Sequence, residues 1–297
     1  MQAAVMSYCL RGALADDQRT MDDIITFAAK EEIFDVEIYV GGWDVEGDIR
    51  NAAEALKPLV DNLGVRLPAM GSGTRLGHLD ASKDENMAQL KSQVEACALL
   101  GGSVMTLPII DGQPVSMEKP NAVVGIRFEQ MLPELVAQLE ELGEHASKFN
   151  VDLAVLNHCF MVYLGWHQKW LTLLTGRENV GACVDPGNYL HYGHEAPEPV
   201  CDMLAGMTKM VRAGNVMPAP DEDVIAQFKV DGKFQPWQAT SFDEGVIDQV
   251  ACYRALAKGG FNGVVSLKTT GSHVDGPVAA IRQSWQGLKK AIAKVET

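Results

Sequence analysis

The chain has 297 residues, 47% of them hydrophobic and 22% charged, and carries a formal net charge of −14. That balance is globular, and a single α/β barrel over residues 1–297 would account for the length. An acidic chain is poorly suited to holding nucleic acid through its phosphates, which takes a net basic face. No apolar run approaches the roughly 18 residues of a membrane helix. The first residues, Met1 to Leu14, lack a basic n-region and place Arg11 inside the apolar stretch, so a signal peptide is not expected and a cytoplasmic location is. Six cysteines occur without a C-x-x-C pair, mostly in apolar runs, which reads as buried packing and not as a disulfide framework.

In chain order, short apolar runs alternate with longer amphipathic segments. Ala3 to Cys9 predicts a first strand, and Thr20 with Asp22 and Asp23 predicts a helix N-terminus. Asp35 to Val40 reads as a strand, Asp48 to Asn62 as a helix closed by Gly64, and Val65 to Met70 as the third strand. A helix capped by Ser82 runs to Leu100, followed by a strand from Ser103 to Ile110 and a helix from Gly125 to Phe149 that Pro133 would kink or restart. Val151 to Leu156 and Val180 to Val184 are strands flanking a helix at Trp166 to Leu174. A helix over Glu198 to Met207 precedes a strand from Met210 to Val216. Pro218 to Ala239 reads as a long irregular loop on the active face. The chain closes with a helix from Phe242 to Lys258, a strand from Gly263 to Lys268 and a helix from Val278 to Val295. About eight such units, with strands that are near-continuous apolar runs, predict a closed parallel (β/α)8 barrel ahead of a doubly wound open sheet. No G-x-G-x-x-G or Gly-Lys-Ser/Thr loop follows a strand.

In such a barrel the functional residues gather at the C-terminal strand ends. In order these carry Tyr8 and Arg11, Glu37 and Tyr39, His78, Asp111, Asn157 and His158, Asp185 and Asn188, Arg212 and Asn215, and Lys268. The mixture suits a polyhydroxylated small molecule better than an apolar one.

Five stretches carry a resemblance to a known family: DASKDENMAQLKSQVEACALLGG from Asp80 to Gly102, VDLAVLNH ending at His158, VGACVDPGN ending at Asn188, DEGVID from Asp243 to Asp248, and GFNGVVSLKT ending at Thr269. In this order and spacing the chain resembles the sugar-phosphate isomerase/epimerase group with the xylose isomerase-like barrel, which also holds the type IV apurinic endonucleases. The resemblance implies one divalent metal held by Glu, Asp, His and Glu from strands five to eight, and a pair of glutamates that shuttle a proton beside a carbonyl. The sequence departs from that set. Leu156 stands in the first ligand position, Asp185 is retained, Arg212 aligns with the histidine, and Lys268 replaces the last glutamate. A divalent ion beside two such cations would be repelled, so no metal and no cofactor are expected.

The reading that follows is an isomerase, epimerase or lyase acting without the metal on a carbohydrate or polyol. Lys268, Asp185 and His158 are its catalytic candidates, and Arg212, Asn157, Asn188, Asn215, Glu37 and His78 are its substrate-binding candidates. Lys268 would act as electrophile, proton carrier or Schiff-base nucleophile. Arg212 and Lys268 paired with Asp185 or another carboxylate, filling the place of the ion, is the structural alternative. The functional alternative is a carbohydrate-binding pseudoenzyme or partner subunit, and both a homo-oligomer and a hetero-partner assembly stay open. His191 and His194 form an H-x-x-H in a Gly/Tyr-rich loop; Cys159 and Cys183 read as packing; Trp237 and Phe234 read as a lid or as a small core of the long loop.

Overall fold

The computed structural model describes residues 1–79, 82–110, 128–158, 161–231, 236–269 and 276–296. Eight parallel strands close into a barrel: β1 (Gln2–Met6), β2 (Asp35–Tyr39), β3 (Arg66–Gly71), β4 (Val104–Leu107), β5 (Asp152–Leu156), β6 (Val180–Val184), β7 (Thr208–Ala213) and β10 (Val264–Leu267), with β10 hydrogen-bonded to both β7 and β1. A separate antiparallel hairpin, β8 (Asn215–Pro218) and β9 (Trp237–Thr240), is inserted after β7. The helices that cover the barrel are α2 (Met21–Lys30), α3 (Ile49–Leu63), α4 (Lys83–Leu99), α5 (Phe128–Ser147), α6 (Gly165–Thr175), α8 (Pro197–Leu204), α10 (Gln249–Lys258) and α11 (Pro277–Glu296). Three further helices, α1 (Ser7–Arg11), α7 (Pro186–Asn188) and α9 (Asp221–Asp231), sit in the loops that follow β1, β6 and the hairpin strand β8.

Side chains alternate across each strand, so every barrel strand except β2 feeds two cores. Val5, Val36, Ile38, Met105, Val155, Val211 and Leu267 belong to the outer core, which they share with apolar helix residues such as Ile24, Leu56, Leu139 and Leu288. Ala4, Ala69, Val104, Ala154, Leu156, Cys183, Met210 and Val264 form a second cluster inside the barrel. Small residues on β1, β3 and β5 and larger ones on β4, β7 and β10 fill that interior, so the barrel is packed and not a pore.

Local signals account for several helix ends. Thr20 accepts from the Asp23 amide at 3.2 Å while the Asp23 carboxylate accepts from the Thr20 amide at 3.1 Å, a reciprocal cap that starts α2. Asp48 Oδ1 accepts from the Arg50 amide at 3.0 Å and starts α3, and Gly64, at φ 66°, ends it in the left-handed region.

Other expectations are corrected. The first strand ends at Met6, because Ser7 Oγ accepts from the Tyr39 amide at 2.8 Å and the chain turns there into α1. Ser82 makes no capping bond to α4; its hydroxyl lies 3.3 Å from His78 Nδ1 and accepts from Asn86 at 3.0 Å. Helix α5 runs unbroken through Pro133. The expected helix from Phe242 begins only at Gln249, capped by Asp248 Oδ1 at 2.9 Å from the Ala251 amide. The segment from Pro218 to Ala239 holds α9 and half of the hairpin, including most of β9, instead of irregular chain.

Candidate active site

The top of the barrel interior is polar. Arg212 on β7 points across the axis to Glu37 on β2, donating through Nε at 3.1 Å and also through Nη2, and a further Nη2 bond reaches Thr106 Oγ1 on β4 at 2.9 Å. Glu37 is fully buried and Arg212 nearly so. Burial works against the guanidinium charge, but Glu37 outweighs it and holds Arg212 protonated, above its usual range. Gly71 on β3 makes the crossing possible: a Cβ there would lie 2.5 Å from Arg212 Nη2 and 3.0 Å from Glu37 Oε1.

One step around the mouth, Lys268 Nζ donates to Asp185 Oδ2 at 2.7 Å and to Asn188 Oδ1 at 3.0 Å. Asp185 is fully buried, and its other oxygen accepts from the Asn188 amide at 3.2 Å. Asn157 fixes the backbone beneath this pair: its amide exchanges two 2.9 Å bonds with the main chain of Asp185. Asn188 in turn donates to the Asn157 carbonyl at 2.8 Å. The short helix α7 thus carries Asn188 to the same lysine that Asp185 binds.

A cavity of about 310 Å³ opens above these pairs, lined by Met6, Tyr8, Tyr39, Ser72, Gly73, Arg75, Thr106, Pro108, Leu156, His158, Arg212 and Lys268. Its described lining holds three cationic side chains and no carboxylate. Such a wall favours a ligand rich in oxygen.

The sequence-predicted residues therefore fall into groups. Lys268, His158 and Arg212 line the cavity. Asp185 and Asn188 hold Lys268 from behind, Glu37 holds Arg212, and Asn157 fixes the main chain of Asp185. Asn215 is spent on backbone, donating to the Phe242 carbonyl at 2.8 Å and accepting from the Val216 and Ile247 amides. His78 faces Ser82 in the loop after β3 and is absent from the cavity wall. Arg212 finds its ion-pair partner in Glu37, not in Asp185. His191 lies near Lys268, and burial followed by that positive charge lowers its pKa. Cys183 packs inside the barrel, and Trp237 packs against the outer core from β9. Asp111, Cys159 and Phe234 lie outside the described residues. Ser72, Arg75 and Thr106 were not anticipated; the signal for Thr106 is a lone polar residue inside the apolar run VMTLPII.

The metal that such barrels imply does not fit these side chains. An ammonium already occupies Asp185 Oδ2, and the neighbouring positions offer Leu156 and Arg212. Among the described residues no group of three His, Cys, Asp or Glu side chains could hold an ion.

The model of the xylose isomerase-like TIM barrel family matches residues 27–291. No curated protein matches the sequence. Among solved structures, a xylose isomerase-like TIM barrel protein from Mycobacterium smegmatis in complex with magnesium superposes with a TM-score of 0.75 at 12% identity, over 99% of this chain and 97% of that one. The 3-keto-D-glucoside 4-epimerase YcjR from E. coli gives 0.72 at 13% identity, over 98% and 99%. An L-ribulose 3-epimerase gives 0.71 at 14% identity, over 100% and 96%. At these identities the likeness is one of fold.

Proposed function

This chain belongs to the xylose isomerase-like TIM barrel family, and from that premise we propose that it acts on a carbohydrate or polyol-type small molecule, as an isomerase, epimerase or lyase, without a divalent metal. One observation carries the reading: Lys268 Nζ, 2.7 Å from Asp185, stands on the retained ligand and faces the cavity. Its ammonium takes over one task of a metal ion, attracting a substrate carbonyl or alkoxide oxygen and stabilising negative charge that develops there. Asp185 is a positioning residue, because the lysine and the Asn188 amide occupy its oxygens. His158, on the cavity wall, is the acid/base candidate for a carbon next to the carbonyl. Arg212, held by Glu37, and Ser72 are placed to bind further oxygens.

The second reading is a binding protein without turnover. It is favoured by the absence of carboxylates from the described cavity wall, since the resemblance implies that proton shuttling falls to glutamates there.

Deuterium exchange into aldoses, ketoses and sugar acids in D2O, followed by NMR, separates the two. The catalytic reading expects exchange at one carbon that Lys268→Met abolishes while circular dichroism stays unchanged. Tight binding of a sugar with no exchange and no product supports the second reading. Elemental analysis tests the metal-free part: about one Mn, Mg, Co or Zn per chain, lost in Asp185→Ala, overturns it.

A further inference from the structure

A side cavity of about 590 Å³ lies next to the barrel mouth, between the chain that follows β2 and the helix α4. Gly73 lines both this cavity and the one at the mouth, so the two meet there. The boundary is made of backbone. A Cβ on Gly73 would lie 2.8 Å from the Gly41 nitrogen and 3.2 Å from the Val40 carbonyl carbon. A Cβ on Gly41 would in turn strike the Tyr39 ring, which lines the mouth. Two glycines in such close contact form a low sill, which a ligand crosses without displacing a side chain.

The side cavity is amphipathic. Trp43 and Val45 supply apolar surface. A single 3-10 turn (Val40–Gly42) presents Trp43, closed by a 3.0 Å bond from the Trp43 amide to the Val40 carbonyl. The indole is half-buried and packs in part against the outer core. Helix α4 supplies the polar surface: Glu85, Gln89 and Ser92 follow one another at spacings of four and three, on one helix face. A chain of hydrogen bonds ties this face to the mouth. Ser72 Oγ, in the mouth lining, donates to Gln93 Oε1 at 2.6 Å, Gln93 Nε2 donates to Thr74 Oγ1 at 2.8 Å, and Thr74 Oγ1 donates to Gln89 Oε1 at 3.1 Å. With its oxygen engaged, Gln89 keeps both amide hydrogens for a ligand. Among the described residues nothing bonds Gln89 Nε2, the Ser92 hydroxyl or the Glu85 carboxylate. Asp48 also lines the cavity, but Arg50 engages it.

We propose that the side cavity is a subsite for a second sugar ring, so that the substrate is a disaccharide or a longer glycoside. The ring to be transformed occupies the barrel mouth, its neighbour rests on Trp43, and the glycosidic link passes over Gly73. A pyranose has a face of C–H groups and a rim of hydroxyls. Trp43 and Val45 match the face, and Glu85, Gln89 and Ser92 match the rim with an acceptor, a pair of donors and a group that does both. The volume falls in the range of about 300–1,000 Å³ that small-molecule sites occupy. A phenyl or alkyl aglycone would cover Trp43 equally well but would strip water from three polar groups without replacing it. The proposal deepens the reading of the barrel mouth and rests on it for the first ring; the second-ring subsite itself stands on Trp43, Gln89 and the Gly73 sill.

Calorimetric titration tests it with three matched pairs: methyl β-glucoside and cellobiose, methyl α-glucoside and maltose, methyl β-galactoside and lactose. At least one disaccharide is expected to bind about tenfold more tightly than its methyl glycoside. Trp43→Ala removes that gain and leaves the methyl glycoside unchanged. Gln89→Ala, at an exposed position, reduces the gain severalfold, and the thermal midpoint is checked for each variant. If no disaccharide gains over its methyl glycoside, or the gain survives both variants, the subsite is overturned. A loss in Trp43→Ala that falls equally on disaccharide and methyl glycoside also overturns it. Phenyl β-glucoside that matches cellobiose in the parent and in Gln89→Ala marks an apolar aglycone site and overturns the second sugar. A gain that Trp43→Ala removes, beside methyl glycoside binding that Lys268→Met does not alter, overturns the barrel-mouth reading and leaves the subsite standing.

Discussion

Arg212 and Glu37, separated by 175 positions in the chain, meet inside the barrel with neither side chain more than 6% exposed. Removing one member of a buried pair strands the other charge, which costs about 3–5 kcal/mol. Glu37→Gln is therefore expected to lower the unfolding free energy by roughly that amount. The double variant Glu37→Met/Arg212→Leu, which removes both charges, should recover most of the loss. Urea denaturation of the three proteins checks this; a Glu37→Gln variant as stable as the parent would refute it.

Gly71 tests the same pair by steric means. A methyl group at this position lies 2.5 Å from Arg212 Nη2, so Gly71→Ala must push the guanidinium off Glu37. Overpacking of this kind costs about 1–3 kcal/mol. Gly206→Ala is the control, since a Cβ there meets nothing within 4 Å. Thermal unfolding should separate the two substitutions.

Lys268→Met leaves the Asp185 carboxylate buried without its cation and should destabilise the protein as well as weaken ligand binding. Combining it with Asp185→Asn removes the stranded charge and keeps an oxygen for the Asn188 amide. The double variant is expected to regain stability without regaining ligand affinity. Recovery of both properties would make the lysine only a counter-ion.

Acid sensitivity has a specific source in His167. The ring is buried against Phe128, at 4.1 Å between centroids, and burial lowers its pKa from 6.5 to about 4. The unfolded chain therefore binds the proton more readily. The neutral ring contributes its full stability above pH 6.5, and that contribution drains away as the pH falls toward 4. Down to pH 5 the loss is on the order of 2 kcal/mol, at about 1.4 kcal/mol for each pH unit below 6.5. His167→Leu should flatten the difference in stability between pH 7 and pH 5, measured by denaturation at each pH. An unchanged slope would move the effect to another group.

Much of the barrel is legible in the sequence because its causes are local. The near-continuous apolar strand runs, the Thr20 and Asp48 caps and the Gly64 stop each act within a few residues. The errors arise where a distant side chain decides. AAVMSYC has strand-forming composition throughout, but the Tyr39 amide claims the Ser7 hydroxyl and ends the strand early. The segment from Phe242 to Ile247 could have been helical, yet the Asn215 amide holds its backbone in another shape. The same divide runs through the site. Lys268 and Asp185 fall on positions that converge in the resembled family, so their meeting could be expected. The partnership of Arg212 with Glu37 requires β2 and β7 to face each other across a closed barrel, and no spacing along the chain encodes that.

The cation on Asp185 is tethered by a lysine stem. A bound ion exchanges with its surroundings: a chelator strips it, scarcity empties the site, and a stronger-binding ion replaces it. An ammonium on the residue just after β10 has a fixed occupancy of one, set when the chain folds. On the metal-free reading proposed above, the charge at the mouth of this barrel is independent of metal supply, and it is answerable instead to whatever reacts with amines. Aldehydes and acylating agents small enough to enter the cavity would act on this protein as chelators act on a metal-dependent barrel.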